Sequence, residues 1–218
     1  MGQKVNPYLL RLGPVYGWES RWFAGKQYKK IVLEDYTLRK ILMERLRVAG
    51  VARIEIDRSI NSLKITVFVS RPGIVIGRAG TGLEELKKFL TLELMKMGRT
   101  KKQMPKLDIV VEAVKEPYLD AFLVARNVAD QLVKRLPHKR VLGQTADRVM
   151  QSGAKGVRIL LSGRVAGSEI GRKERIQRGT VPLSTIREHV SFAAVPALTK
   201  KGYIGVKVWI NKPEEKER

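Results

Sequence analysis

Two hydrophobic rhythms alternate along the chain. Leu38, Ile41, Leu42 and Leu46 recur at helical spacing and predict a helix that Asp35 caps and Gly50 stops. Ile54 and Ile56 then alternate with Arg53, Glu55 and Asp57, as a half-buried strand requires. Leu63, Ile65, Val67 and Val69 repeat that period after a turn at Ile60-Asn61. Leu83, Leu86, Leu90, Leu94 and Met97 form a further helical stripe, with Thr81 and Glu84 at capping-box spacing, and Leu107, Ile109 and Val111 predict a third strand.

The second half starts with Pro117, a residue suited to the first turn of a helix. Ala121, Ala125, Val128, Leu132 and Leu136 mark that helix's buried face, and Pro137 ends it. A further helix is predicted from Arg140 to Gln151, then a turn at Gly153-Ala154-Lys155-Gly156 and a strand through Val157, Ile159 and Leu161. Three more strands are expected near 169–178, 186–199 and 203–210. The class is α+β: a three-stranded sheet with helices, then two helices on one face of a four-stranded antiparallel sheet. Pro7, Gly13, Pro14, Gly17 and Gly25 mark residues 1–34 as an extended basic arm. The expected domains are 35–115 and 116–211, with a solvated charged tail at 212–218. Trp18, Trp22 and Phe23 lie near Arg11, Arg21 and Lys26, a mixture that suits base stacking and equally suits packing onto the next domain.

Charge narrows the partner. The 218 residues carry 43 Lys and Arg against 21 Asp and Glu, a net +22. Such an excess points to a polyanion, because phosphate neutralisation releases condensed counter-ions. A membrane is not expected: no apolar run approaches the roughly 18 residues of a span, and no single basic amphipathic helix gathers the charge. Met1-Gly2-Gln3-Lys4 opens no signal-peptide core, and Asn6 stands where myristoylation expects Ser or Thr. With no cysteine, disulfides and thiolate metal sites are excluded. A cytoplasmic protein without cofactor or metal is expected.

The most specific segment is Gly73-Ile74-Val75-Ile76-Gly77-Arg78-Ala79-Gly80, which runs into Thr81-Gly82-Leu83-Glu84. A P-loop would follow Gly77 and Gly82 with Lys and Ser or Thr, and Leu83-Glu84 stand there. A dinucleotide fingerprint from Gly80 and Gly82 needs glycine at 85, where Glu85 stands. Gly-x-x-Gly with a basic residue inside, between helices, is the backbone clamp of KH domains on single-stranded RNA. Gly77, Arg78, Ala79 and Gly80 would form the clamp, with the helix N–H groups after it facing an anion. Lys87 and Lys88 fall off the apolar stripe, as solvated surface or as RNA contacts. A helix and a strand ahead of this core make the order that of the type II KH fold.

Two further basic constellations stand out. Lys134 and Arg135 precede Lys139 and Arg140 at the start of the next helix. Arg164, Arg172, Lys173, Arg175 and Arg178 gather in a glycine-rich hairpin opposed only by Glu169 and Glu174. Catalysis finds no comparable support. His138 and His189 lack metal-motif spacing and are expected at the surface and on a sheet face, while Glu84 and Glu85 diverge on one helix. The chain is not expected to be an enzyme. A free-standing KH regulator and a nuclease or lyase are the rival classes; ribosome co-sedimentation and a nicking assay would separate them.

Met1-Gly2-Gln3-Lys4-Val5-Asn6-Pro7, Arg11-Leu12-Gly13, Arg71-Pro72-Gly73-Ile74-Val75-Ile76-Gly77, Gly153-Ala154-Lys155-Gly156, Ser162-Gly163-Arg164 and Gly205-Val206-Lys207-Val208-Trp209-Ile210 together resemble the bacterial small-subunit ribosomal protein three family. The resemblance covers almost the whole chain. It implies a structural protein of the lower head of the small subunit that binds ribosomal RNA. Ribosomal proteins ten and fourteen would be its neighbours, and it would hold messenger RNA where the strand enters and help unwind it. Lys139 and Arg140 match two of the family's unwinding residues. Gly143 stands where a third basic residue is usual, and Asn6 replaces the commoner His.

Overall fold

A computed structural model of the chain describes residues 4–97 and 105–213. It divides into two compact units, one from Trp18 to Lys115 and one joining the first 17 residues to those from Glu116 onward. The expected arm is thus no single body: its first half belongs to the later unit and its second half to the earlier.

Short helix α1 (Pro7–Leu10) opens the later unit, with proline in its first turn and the Asn6 Oδ1 accepting from the Tyr8 N–H at 2.9 Å. That cap gives Asn6 a role of its own. Arg11 follows and is fully buried. Its guanidinium donates to the carbonyls of Pro7, Pro182, Thr185 and Glu188 at 2.9, 3.0, 2.8 and 2.7 Å. Those acceptors, Pro7 apart, belong to the stretch 180–189, so one side chain satisfies backbone that no ladder reaches.

The earlier unit begins with a two-residue strand, β1 (Ser20–Arg21), pairing parallel with β2 (Val51–Arg58). α2 spans Tyr28–Arg45, not the later start predicted at Asp35. Asp35 lies inside the helix and is buried, so it caps nothing. Its carboxylate and that of Glu34 receive Arg58 from β2: Nε donates to Asp35 Oδ1 at 2.8 Å and the guanidinium donates to Glu34 Oε2 at 3.0 Å. The Trp22 indole N–H and the Ser20 hydroxyl donate to the other Asp35 oxygen at 2.8 and 3.2 Å. Helix propensity of the preceding Tyr28–Leu33 stretch, which has no Gly or Pro, lets the helix begin early.

β2 pairs antiparallel with β3 (Ser62–Val69), and β4 (Lys106–Ala113) adds parallel to β3, giving the order β1-β2-β3-β4. A parallel return needs a crossover, and α3 (Pro72–Ile76) with α4 (Thr81–Lys96) supplies it. Leu38 and Leu42 of α2, and Leu86, Leu90 and Leu94 of α4, share one core with Ile54, Ile56, Leu63, Ile65, Val67, Val69 and Ile109. The predicted helical stripes and strand faces meet there.

In the later unit Pro117 sits in a separate 3-10 turn, and Asp120 caps α5 (Ala121–Val133) by accepting from the N–H groups of Phe122 and Leu123. α5 stops at Val133, before Pro137. α6 runs His138–Gln151. β5 (Gly156–Gly163), β6 (Arg172–Gly179), β7 (Val190–Thr199) and β8 (Gly202–Asn211) form an antiparallel sheet in the order β6-β5-β8-β7. α5 packs on β7 and β8, and α6 on β5 and β6. β7 begins after His189, whose ring instead meets Tyr16 edge-on at 6.1 Å. Leu136, predicted on the buried face, lies beyond the helix and is 46% exposed. The predicted tail lies mostly outside the described residues.

Replacing Arg58 by Met should cost about 3–5 kcal/mol in urea unfolding, because it strands two buried carboxylates. Arg21→Met removes an exposed arginine that pairs with Glu55 and more distantly with Asp57, and should cost about 1 kcal/mol or less. Equal losses would refute the buried pairing as the distinguishing feature.

Candidate nucleic-acid interface

α3 ends at Gly77, whose φ of +71° with ψ of −175° is open only to glycine. Arg78, Ala79 and Gly80 form a single 3-10 turn, and Gly80, at φ +81°, leads into α4. The predicted capping box does not form. Thr81 lies inside the helix and its hydroxyl donates to the Arg78 carbonyl at 2.9 Å, while no side chain caps α4. The first N–H groups of α4 therefore keep no side-chain acceptor, beside an exposed Arg78.

Gly82, outside the expected clamp, is the tightest glycine in the segment. A Cβ there would lie 2.6 Å from the Val75 carbonyl oxygen, so glycine is needed for α4 to close onto α3. Gly77, expected in the clamp, and Gly82, outside it, are both required by the fold of the loop itself. Beside it a groove of about 190 Å³ is lined by Leu46, Val48, Ile74 and Leu86, with Arg45 at its edge. Ile74 and Val48 are exposed, a surface on which a base can lie. Lys88 is exposed, whereas Lys87 turns toward Asp108 of β4, at 3.8 Å. The two predicted lysines thus have different settings.

Lys134, Arg135, Lys139 and Arg140 converge where α5 ends and α6 begins. All four are exposed and none forms an ion pair with a described residue. Lys139 and Arg140 occupy the first turn of α6, which Pro137 leaves without a side-chain cap. Cations there oppose the helix dipole at a cost of about 0.3–1 kcal/mol each. Arg135 carries a second cost. It has φ +62°, its N–H donates to the Leu132 carbonyl at 2.9 Å and the next N–H donates to Gln131 at 3.3 Å, the Schellman pattern that usually puts glycine at this place.

The basic hairpin is β5–β6 with its connecting loop. Arg172, Lys173 and Arg175 are exposed on edge strand β6 and make no ion pair among the described residues. Arg178 reaches Asp147 of α6 at 3.2 Å, and Arg164 donates to the Ser168 carbonyl at 2.8 Å. Glu174 faces His138 Nε2 at 2.8 Å, so that histidine is half-buried rather than a free surface residue. Lys200 and Lys201, at the two-residue turn between β7 and β8, belong to the same basic surface and were missed. The signal was a Lys-Lys-Gly between two strand patterns. Among the described residues no cluster of three His, Asp or Glu could hold a metal, and no helix is long and apolar enough to cross a membrane.

The comparisons agree with this geometry. The KH domain family matches residues 37–119, and "Ribosomal protein S3, C-terminal domain" matches 128–210. The chain is 46% identical to small ribosomal subunit protein uS3 of Desulfitobacterium hafniense, over 98% of this chain and 94% of that one. It is 44% identical to uS3 of Caldicellulosiruptor bescii, over 97% and 92%, and 43% identical to that of Clostridium novyi, over 98% and 94%.

Arg135→Gly should raise stability by roughly 1 kcal/mol, since glycine takes the left-handed position freely. The same change should weaken RNA binding. Thermal unfolding and filter binding measure the two; a variant both less stable and unchanged in affinity would show that Arg135 serves the fold alone.

Proposed function

Because the chain belongs to the uS3 family of small-ribosomal-subunit proteins, we propose that it grips incoming messenger RNA with the cations between α5 and α6. Membership itself makes it a structural, RNA-binding and non-enzymatic part of the small subunit. The carrying observation for the messenger role is the placement of Lys134, Arg135, Lys139 and Arg140. They meet at one end of two helices and no described acid pairs with them; Lys139 and Arg140 oppose the dipole of α6, and Arg135 sits at positive φ. A phosphate backbone supplies the missing counter-charge and accepts from the uncapped N–H groups of α6.

The KH loop, Gly77 to Gly80 with Lys88, and the hairpin cations Arg172, Lys173 and Arg175 would hold ribosomal RNA in the lower head of the cytoplasmic small subunit. Small-subunit ribosomal proteins ten and fourteen would flank it. Val32, Leu33 and Tyr36 on one exposed side of α2, and the 98%-exposed Phe23 before it, support protein neighbours. Unwinding rests on Lys139 and Arg140 without a third cation, since Gly143 follows one turn later. A side chain at 143 would enter open space, so the departure is not forced by packing.

The double variant Lys139→Glu, Arg140→Glu should slow translation through messenger hairpins several-fold and leave subunit assembly intact. It should also flatten the log–log salt dependence of single-strand binding by about 1.4, near 0.7 per lost phosphate contact. Gly143→Lys should speed hairpin passage and stabilise α6 by about 1 kcal/mol. An unchanged hairpin rate in the double variant removes the messenger role.

A further inference from the structure

Beside this basic patch lies a pocket of about 460 Å³, within the range of about 300–1,000 Å³ that small-molecule sites occupy. Its floor is aliphatic: Leu132, Leu136 and Ile204. Leu136 is 46% exposed, although it follows a helix whose other stripe residues are covered. Arg135, Arg164, Lys200 and Lys201 stand around the rim, and no Asp or Glu lines the pocket among the described residues. Lys201 Nζ donates to the carbonyl of Gly167, another lining residue, at 3.3 Å.

Backbone conformation singles out the same place. Arg135 and Ala166 are the two non-glycine residues with positive φ among the described residues, at +62° and +57°. Both line this pocket. Strained residues of this kind gather at ligand clamps, where the surrounding structure holds them. At Arg135 the same turn closes α5 and puts Leu136 outside the core, facing the pocket.

An apolar floor ringed by cations fits a flat base carrying a phosphate. Arg135 belongs to both the pocket and the patch, so a strand lying along Lys139 and Arg140 brings its next nucleotide to the opening. We propose that this pocket receives one unstacked nucleotide of single-stranded RNA, its base on Leu136 and Ile204 and its phosphate between Arg164 and Lys200. Leu136 and Ile204 offer no hydrogen bonds to base edges, and the polar lining residues His138 and Thr199 already meet Glu174 and the Gly202 carbonyl, so the pocket takes any base. The inference rests on the RNA-binding role of the chain and adds a base-holding site outside the KH loop.

The test uses the purified full-length chain and a single-stranded decamer containing 4-thiouridine, irradiated and mapped by mass spectrometry. Crosslinks are expected in peptides holding Leu136 or Ile204 as well as in the KH-loop peptide. Leu136→Trp, which fills the pocket, should cut the pocket crosslinks at least fivefold and leave the KH-loop crosslink unchanged. Arg164→Gln with Lys200→Gln should do the same without altering the floor. KH-loop crosslinks with none at the pocket in the wild-type chain would overturn the inference alone; crosslinks nowhere would remove it together with the RNA-binding role. Loss of the pocket crosslinks to equimolar free uridine monophosphate would overturn the strand in favour of a free nucleotide.

Discussion

A chain of net charge +22 folds only if its cations stay out of its cores or meet acceptors there. Among the described residues, Arg11, fully buried, and Arg58, whose side chain is largely covered, meet this constraint in different ways. Arg58 faces two carboxylates, Glu34 and Asp35, and so joins β2 to α2 and, through Trp22 and Ser20, to β1. Arg11 faces carbonyl oxygens only, and its charge draws in the irregular stretch 180–189 that leads from β6 to β7. A lysine at position 11 could not fork to acceptors so dispersed. Both cores are otherwise aliphatic.

Keeping the remaining cations outside has a functional consequence. Acids on the surface are too few to neutralise them, and several of those present are committed: Glu55 to Arg21, Asp147 to Arg178, Glu174 to His138. Exposed cations without an acid partner among the described residues stand where α5 meets α6 and along β6. Lys139 and Arg140 oppose the dipole of α6, which separates them from arginines that hold the fold. RNA is the partner that turns this surplus into binding energy, with counter-ion release as the driving force.

Glycine serves two purposes around the KH loop. Gly77 and Gly82 are demanded by the loop's own geometry, through a backbone angle at one and a carbonyl in contact at the other. Arg78 stays exposed beside the uncapped start of α4. The motif thus couples a tight turn with open donors.

Much was legible from the residues alone. Leu38 to Leu46, Leu83 to Met97 and the alternating strands announced their elements, because burial on one face imposes a period of 3.6 or 2 on neighbouring positions. Gly-x-x-Gly, the element order and the basic clusters were local as well. Other features had no periodic signature. Asp35 looked like a cap because it preceded an apolar stripe; it lies inside α2, and its partner Arg58, 23 residues away, could not be read from the local pattern. The first 34 residues looked like one arm, and long-range partners divide them: the loop at 180–189 for Arg11, β2 and Asp35 for Ser20 to Trp22. Leu136 fitted the α5 stripe until the left-handed turn at Arg135 removed it from the core and set it in a pocket floor. Sequence determined what each segment prefers over a few turns; tertiary structure decided which distant polar group each charge would meet, since hydrogen-bond partners are chosen in space and leave no rhythm along the chain.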